Sequence, residues 1–170
     1  ANVVSEVPSA RWLASSVGGS EASLTSRVRH GGFVWGVERF DCGLFCISRA
    51  EAGAMDPQQR LLLERGYEAL REASLDREAL MGSVTGVFVG IAANDFAQVL
   101  PAMPAGSSVY AATGSAHSIA SGRLSYELGL QGACAAYDTS CSAALVAGHA
   151  AARSVQRSES TAGLLASVNV

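Results

Sequence analysis

Residues Ala135–Ala152 read AAYDTSCSAALVAGHAAA, a run of small and apolar residues interrupted by one cysteine and one histidine. Its two halves carry different signals. "ACAAY" (133–137) is short, apolar and long enough only for a buried strand, whereas "CSAALVAGHAAARSVQR" (141–157) is Ala-rich and helical, with basic residues at its end to complement the helix dipole. A strand that turns straight into a helix is the unit of an α/β fold, and it puts Cys141 on the tight turn between the two.

Working outward, "SVTGVFVGIA" (83–92) is a β-branched, Gly-bounded run, the pattern of a strand buried on both faces. "SAHSIASGRLSYEL" (115–128) spaces Ile119, Leu124 and Leu128 as a helix would and stops at Gly129. Asp56 is a good N-cap, Pro57 suits the first helical position, and Leu63, Tyr67 and Leu70 form an apolar stripe behind them. "NDFAQVLPAMPAGSSVYAATG" (94–114) reads as an irregular connection broken by Pro101 and Pro104, and "AGLLASVNV" (162–170) as a further strand. The order β, α, β, α, β predicts an α/β fold with a mainly parallel core sheet, packed helices and a buried helix after Cys141. Residues 33–170 are expected to form this core. Residues 1–32, with "SSVGGSEASLTS", read as mostly loop, and "FVWGVERFDCGLFCIS" (33–48) as short extended pieces packed on the larger body.

Composition narrows the function. The chain has 170 residues, a net charge of −3 and no basic stripe, which argues against nucleic acid. No run approaches the roughly 18 apolar residues of a membrane span, and the N-terminus lacks the pattern of a secretory signal. A cytoplasmic, reducing setting is expected for the four cysteines. Cys42, Cys46 and Cys134 show no C-x-x-C spacing, so no metal is expected, and no nucleotide-binding glycine motif is present. The chain starts at Ala1 and ends within an apparent strand, so a piece of a longer protein is expected.

At Cys141 the chemistry is that of a helix N-terminus. Free backbone N–H groups there favour an anion, the thiolate is the reactive form of cysteine, and the same N–H groups can hold an oxyanion. A nucleophile fits, and so does a plain buried cysteine. His149 fails as its base: eight residues along a helix is roughly 12 Å, against a hydrogen-bond reach of about 3 Å. It reads instead as a helix histidine satisfied by a neighbour. His117 and His30 would reach Cys141 only through tertiary folding.

These residues together resemble the β-ketoacyl synthase (ketosynthase) domain of modular type I polyketide synthases. "VPSARW" (7–12), "GGFVWGVERFDCGLFCIS" (31–48), "AMDPQQRLLLERGYEALREA" (54–73), "GVFVG" (86–90), "SIASGRLSYELGL" (118–130), "YDTSCSAALVA" (137–147) and "SVNV" (167–170) follow in the family's order over residues 1–170. The resemblance implies a thiolase-like fold, of which this chain is the first half only. It also implies decarboxylative Claisen condensation in polyketide or fatty acid biosynthesis. Cys141 would be the acyl-thioester nucleophile, with its backbone N–H as an oxyanion donor. No cofactor would be bound by the chain itself; substrates would come on the phosphopantetheine of an acyl carrier protein. Neighbouring domains such as an acyltransferase, and a homodimer of the full-length parent, are further implied partners.

The family's two catalytic histidines belong to H-G-T-G-T and K-x-x-x-G-H motifs that this sequence does not contain, so the fragment alone is expected to be inactive. Relatives that only decarboxylate carry Gln at the nucleophile, and Cys141 therefore points to a condensing type. Cys42, Cys46 and Cys134 stand where the family usually has small residues, Arg49 where proline is usual, and Ala143–Ala144 where Ser–Ser is usual. His149 matches a helix histidine outside the catalytic pair. The alternatives are a cysteine-dependent thioester or ester hydrolase using His117, and a non-catalytic ketosynthase remnant.

Overall fold

In the computed structural model, residues 4–8 and 29–170 are described, and the chain divides into two units, Ala1–Gly36 and Val37–Val170. In the first unit, β1 (Val4–Glu6) pairs antiparallel with β2 (His30–Gly32), Ser5 opposite Gly31, and Arg29 lies 3.2 Å from Glu6. In these two short strands each arm supplies the other's backbone partners, which neither could find alone. The stretch "SSVGGSEASLTS" lies outside the described residues.

The second unit follows the predicted order closely. "DCGLFCI" forms turns (42–46) instead of extended pieces, closed by Ile47 N–H donating to Cys42 O, and buries Phe45 and Ile47 in the core. Then come α1 (Arg49–Ala54), α2 (Pro57–Glu72) and α3 (Arg77–Leu80). Asp56 caps α2 by accepting from Gln58 N at 2.8 Å, and Pro57 occupies the first helical position, where its missing N–H costs nothing. The helix buries Leu62, Leu63, Gly66 and Leu70, with Tyr67 half-buried at the edge of the stripe.

β3 (Thr85–Ile91) is buried at every residue. The connection after it holds α4 (Phe96–Val99), two 3-10 turns and α5 (Ala111–Gly114). It leads into α6 (His117–Leu128), which ends at Gly129 in the left-handed conformation, φ 68°. Leu124 and Leu128 are buried as expected; Ile119 is only half-buried, and Ala120 and Ser121 take the buried positions beside it. β4 (Cys134–Tyr137), α7 (Ala143–Gln156) and β5 (Ala162–Val168) complete the unit.

The sheet is parallel with order β4–β3–β5, Val87 opposite Cys134 on one side and Leu164 on the other. Because side chains alternate along a strand, β3 feeds two cores. Val87, Val89 and Ile91 pack with Leu62, Leu63, Leu124 and Leu128 of α2 and α6. Phe88 points the other way, onto Ala147 and Ala151 of α7. Within this chain the helix after Cys141 is covered along one face. Only the stripe Ala143, Ala147, Ala151 and Ser154 is covered, and Leu145 on another face is 80% exposed. Alanine allows close packing on the sheet but does not compel it on every side.

Candidate active site

The site lies at the carboxyl ends of the three parallel strands, where open α/β sheets generally bind ligands. β4 ends at Tyr137, and a 3-10 turn over Ser140–Ser142 delivers Cys141 to the start of α7. Asp138 Oδ1 accepts from Ser140 N at 3.2 Å, and Ser142 Oγ donates to Thr139 O at 2.9 Å. Ser140 sits at φ 54°, a left-handed conformation that non-glycine residues rarely adopt and that costs of order 1–3 kcal/mol when surroundings impose it. This knot of local bonds turns the chain sharply and leaves Cys141 exposed, not buried, as a free thiol.

The turn also uses up part of the helix N-terminus. Ser142 N donates to Thr139 O at 3.3 Å and Ala143 N to Ser140 O, so those two N–H groups are occupied. The N–H of Cys141 itself has no partner among the described residues. It remains as a donor beside the thiol.

Cys141 opens into a cavity of about 300 Å³ walled by Gly90, Ala92, Ala143, Ser167, Val168 and Asn169 among others. Gly90 makes this arrangement sterically feasible. A Cβ on it would fall 2.7 Å from Ala144 N and 2.8 Å from Ala143 C, so only glycine lets the first turn of α7 rest on β3. Ser167 Oγ donates to Gly90 O at 3.1 Å and ties β5 to β3 at the same level. The wall is further braced at Ala93. Its carbonyl accepts from Gln58 Nε2 at 2.8 Å and lies 3.0 Å from His117 Nε2, and its N–H donates to Asn169 Oδ1 at 3.3 Å.

Neither His117 nor His149 lines the cavity at the thiol. His149 is exposed on α7, with no hydrogen bond to it among the described residues. His30 belongs to β2 in the other unit. His117 faces the Ala93 carbonyl, for which its Nε2 must be the donor, and it does not line the cavity. A Cys141–His117 couple is therefore not assembled. Among the described residues no three His, Cys, Asp or Glu side chains come together as metal ligands, and no helix is long and apolar enough to cross a membrane. Cys42 packs at the edge of the core, while Cys46 and Cys134 are exposed free thiols.

Sequence reading placed Cys141 but missed Gly90, Ser167 and Asn169. Gly90 carried a usable signal, since an isolated glycine inside a buried strand marks close backbone approach. The other two follow a strand pattern into its exit and carry no signal of their own.

A family model described as "Beta-ketoacyl synthase, N-terminal domain" matches residues 1–170. The chain belongs to the β-ketoacyl synthase family. It is 42% identical over 171 residues to a phenolphthiocerol/phthiocerol polyketide synthase of Mycobacterium tuberculosis, covering 99% of this chain and 11% of that protein. It is 46% identical over 143 residues to the spectinabilin polyketide synthase system protein NorC of Streptomyces orinoci, 84% of this chain and 6% of that one. The chain thus spans about a tenth or less of these curated relatives. Among solved structures, the oxazolomycin ketosynthase domain OzmH KS7 of Streptomyces albus JA3453 superposes with a TM-score of 0.82 at 32% identity, over 98% of this chain and 29% of that one. The ketosynthase from module 6 of the bacillaene synthase of Bacillus subtilis 168 does so with a TM-score of 0.78 at 27% identity, over 99% and 27%. The three-stranded parallel sheet and its helices are thus part of a ketosynthase, thiolase-like fold.

Proposed function

We propose that this chain is the nucleophile-bearing part of a β-ketoacyl synthase domain that extends acyl chains in polyketide biosynthesis. The observation that carries the reading is Cys141: an exposed thiol at the carboxyl ends of parallel strands, opening into a cavity beside its own unpartnered N–H. In this reading the Cys141 sulfur attacks the carbonyl carbon of an acyl thioester held on the phosphopantetheine arm of an acyl carrier protein. The Cys141 N–H donates to the oxyanion as it forms. The bond from carbonyl carbon to pantetheine sulfur breaks, that sulfur leaves as a thiol, and the acyl group stays on Cys141.

A malonyl-type thioester then loses carbon dioxide, and the electron pair of the broken C–C bond attacks the acyl-cysteine carbonyl. A new C–C bond forms and the Cys141 sulfur leaves. Proton handling in these steps falls to groups outside this cavity, in keeping with the family's histidine motifs absent from this sequence. Acting as an acyl-transferring condensing enzyme, the complete protein would work with an acyl carrier protein and neighbouring synthase domains, as a homodimer. An intracellular setting fits four free thiols. The isolated 170 residues would not condense.

The test is a turnover assay on the full-length protein that contains this chain, given an acyl thioester and a carbon-labelled malonyl carrier protein. Label in a product two carbons longer, with one carbon dioxide released per product, is expected. Release of the free acid alone would favour the hydrolase reading and overturn this one.

A further inference from the structure

One wall of the cavity at Cys141 is the exposed amide side chain of Asn169, bonded at one half and unused at the other. Ala93 N–H can only donate, so the Asn169 side chain must turn its oxygen, Oδ1, toward it at 3.3 Å. The NH2 group of Asn169 is then directed elsewhere and has no partner among the described residues, while the residue itself walls the Cys141 cavity.

The peptide that fixes it is itself fixed. Gln58, 2% exposed, donates from Nε2 to Ala93 O at 2.8 Å and accepts at Oε1 from Val170 N at 3.4 Å. One buried amide thus links the exits of β3 and β5 on either side of Asn169. His117 Nε2 bonds the same carbonyl at 3.0 Å. Ser167 donates its hydroxyl to Gly90 O and has only acceptor capacity to spare. Ser140 adds a hydroxyl on the Cys141 side of the cavity, and Ala92, Ala143 and Val168 are small or apolar.

We propose that Asn169 is a specificity-determining residue, whose NH2 group donates a hydrogen bond to an oxygen substituent on the acyl chain brought to Cys141. The bound group is then an oxygenated acyl chain, such as a 3-hydroxyacyl or 3-oxoacyl thioester, and a saturated alkyl chain is disfavoured. The physical reason is asymmetric. A saturated chain filling the cavity strips water from the Asn169 donor and offers nothing in return, whereas an oxygenated chain replaces that water. Gln58 acts through Ala93 as a positioning residue and does not touch substrate. This inference rests on the reading of Cys141 as the acyl-accepting nucleophile.

The test is competitive acylation of the full-length protein containing this chain. Equal concentrations of a 3-hydroxyacyl and a saturated acyl N-acetylcysteamine thioester of the same length are supplied, and the two adducts on the Cys141 peptide are counted by mass spectrometry. Asn169→Asp keeps the acceptor for Ala93 N–H but replaces the donor with a carboxylate oxygen. The unmodified protein is expected to favour the hydroxyacyl adduct, and Asn169→Asp to lower that preference about 5- to 10-fold. A purely structural defect would slow both acylations and leave the ratio unchanged. An unchanged ratio, or no preference in the unmodified protein, overturns the role of Asn169 and leaves the nucleophile reading standing. No Cys141 adduct from either thioester overturns both.

Discussion

Replacing Gly90 with alanine tests whether the close seat of α7 on β3 sets the position of the nucleophile. The added Cβ would stand 2.7 Å from Ala144 N and 2.8 Å from Ala143 C, and ordinary contact begins at 3.4 Å. The first turn of α7 must therefore retreat by the difference, 3.4 − 2.7 = 0.7 Å, or β3 must bend. Both clashing groups are backbone, so no side-chain rotamer relieves them. Overpacking of this kind costs about 1–3 kcal/mol of stability. Cys141 lies immediately before that turn, and a misplacement near 1 Å slows an oriented reaction by about 100-fold.

Gly90→Ala is accordingly expected to unfold at lower urea concentration and to slow acylation of Cys141 about 10- to 100-fold, by the same proximity argument. Gly53→Ala is the control, because nothing lies within 4 Å of its Cβ position. Urea titration and time-resolved mass spectrometry of the Cys141 peptide, in the full-length protein, give both quantities. If Gly90→Ala behaves like Gly53→Ala in both, the steric reasoning is refuted.

Glu51→Gln leaves the buried Arg123 guanidinium, 8% exposed, without its counter-ion, and is expected to cost about 3 kcal/mol in a denaturant melt; a loss within experimental error would contradict the pairing. Cys46 adopts φ 54° without being glycine, so Cys46→Gly should raise stability by about 1 kcal/mol, and a lower melting temperature would show that the strain is absent. Glu127 holds its proton more tightly than an ordinary glutamate, because of desolvation first and then Glu51, against the pull of Arg123 and Arg77. Its folded-state pKa is raised, so its contribution to stability is present below the unfolded value and lost as pH rises through the folded one. Glu127→Gln should therefore gain stability relative to the parent above the carboxylate range and lose that gain in acid; an identical difference at acid and neutral pH would refute it.

Much of the fold was readable from short signals with a direct physical meaning. The cap at Asp56, the stop at Gly129 and the buried run of β3 each express a local rule that the tertiary structure had no reason to override. The helix after Cys141 shows its covered face only in the structure. Alanine is equally content buried or exposed, so composition could not distinguish a covered stripe from full burial. Ile119 shows the same limit: helical spacing put it with Leu124 and Leu128, while the smaller Ala120 and Ser121 took the positions against the body. The position of Cys141 on a strand-to-helix turn was legible from the two patterns that flank it. Asn169 and Gln58 were not. Their roles come from a hydrogen-bonded junction at Ala93 that joins residues 58, 93, 117 and 169, and only folding brings those together.

The central claim is that Cys141 carries the acyl group. The direct measurement is intact-peptide mass spectrometry of the full-length protein after exposure to an acyl thioester, alongside its Cys141→Ala variant. A single acyl adduct on the peptide containing Cys141, absent from the variant, is the predicted result. An adduct that persists in Cys141→Ala, or that resides on Cys42, Cys46 or Cys134 instead, would contradict it.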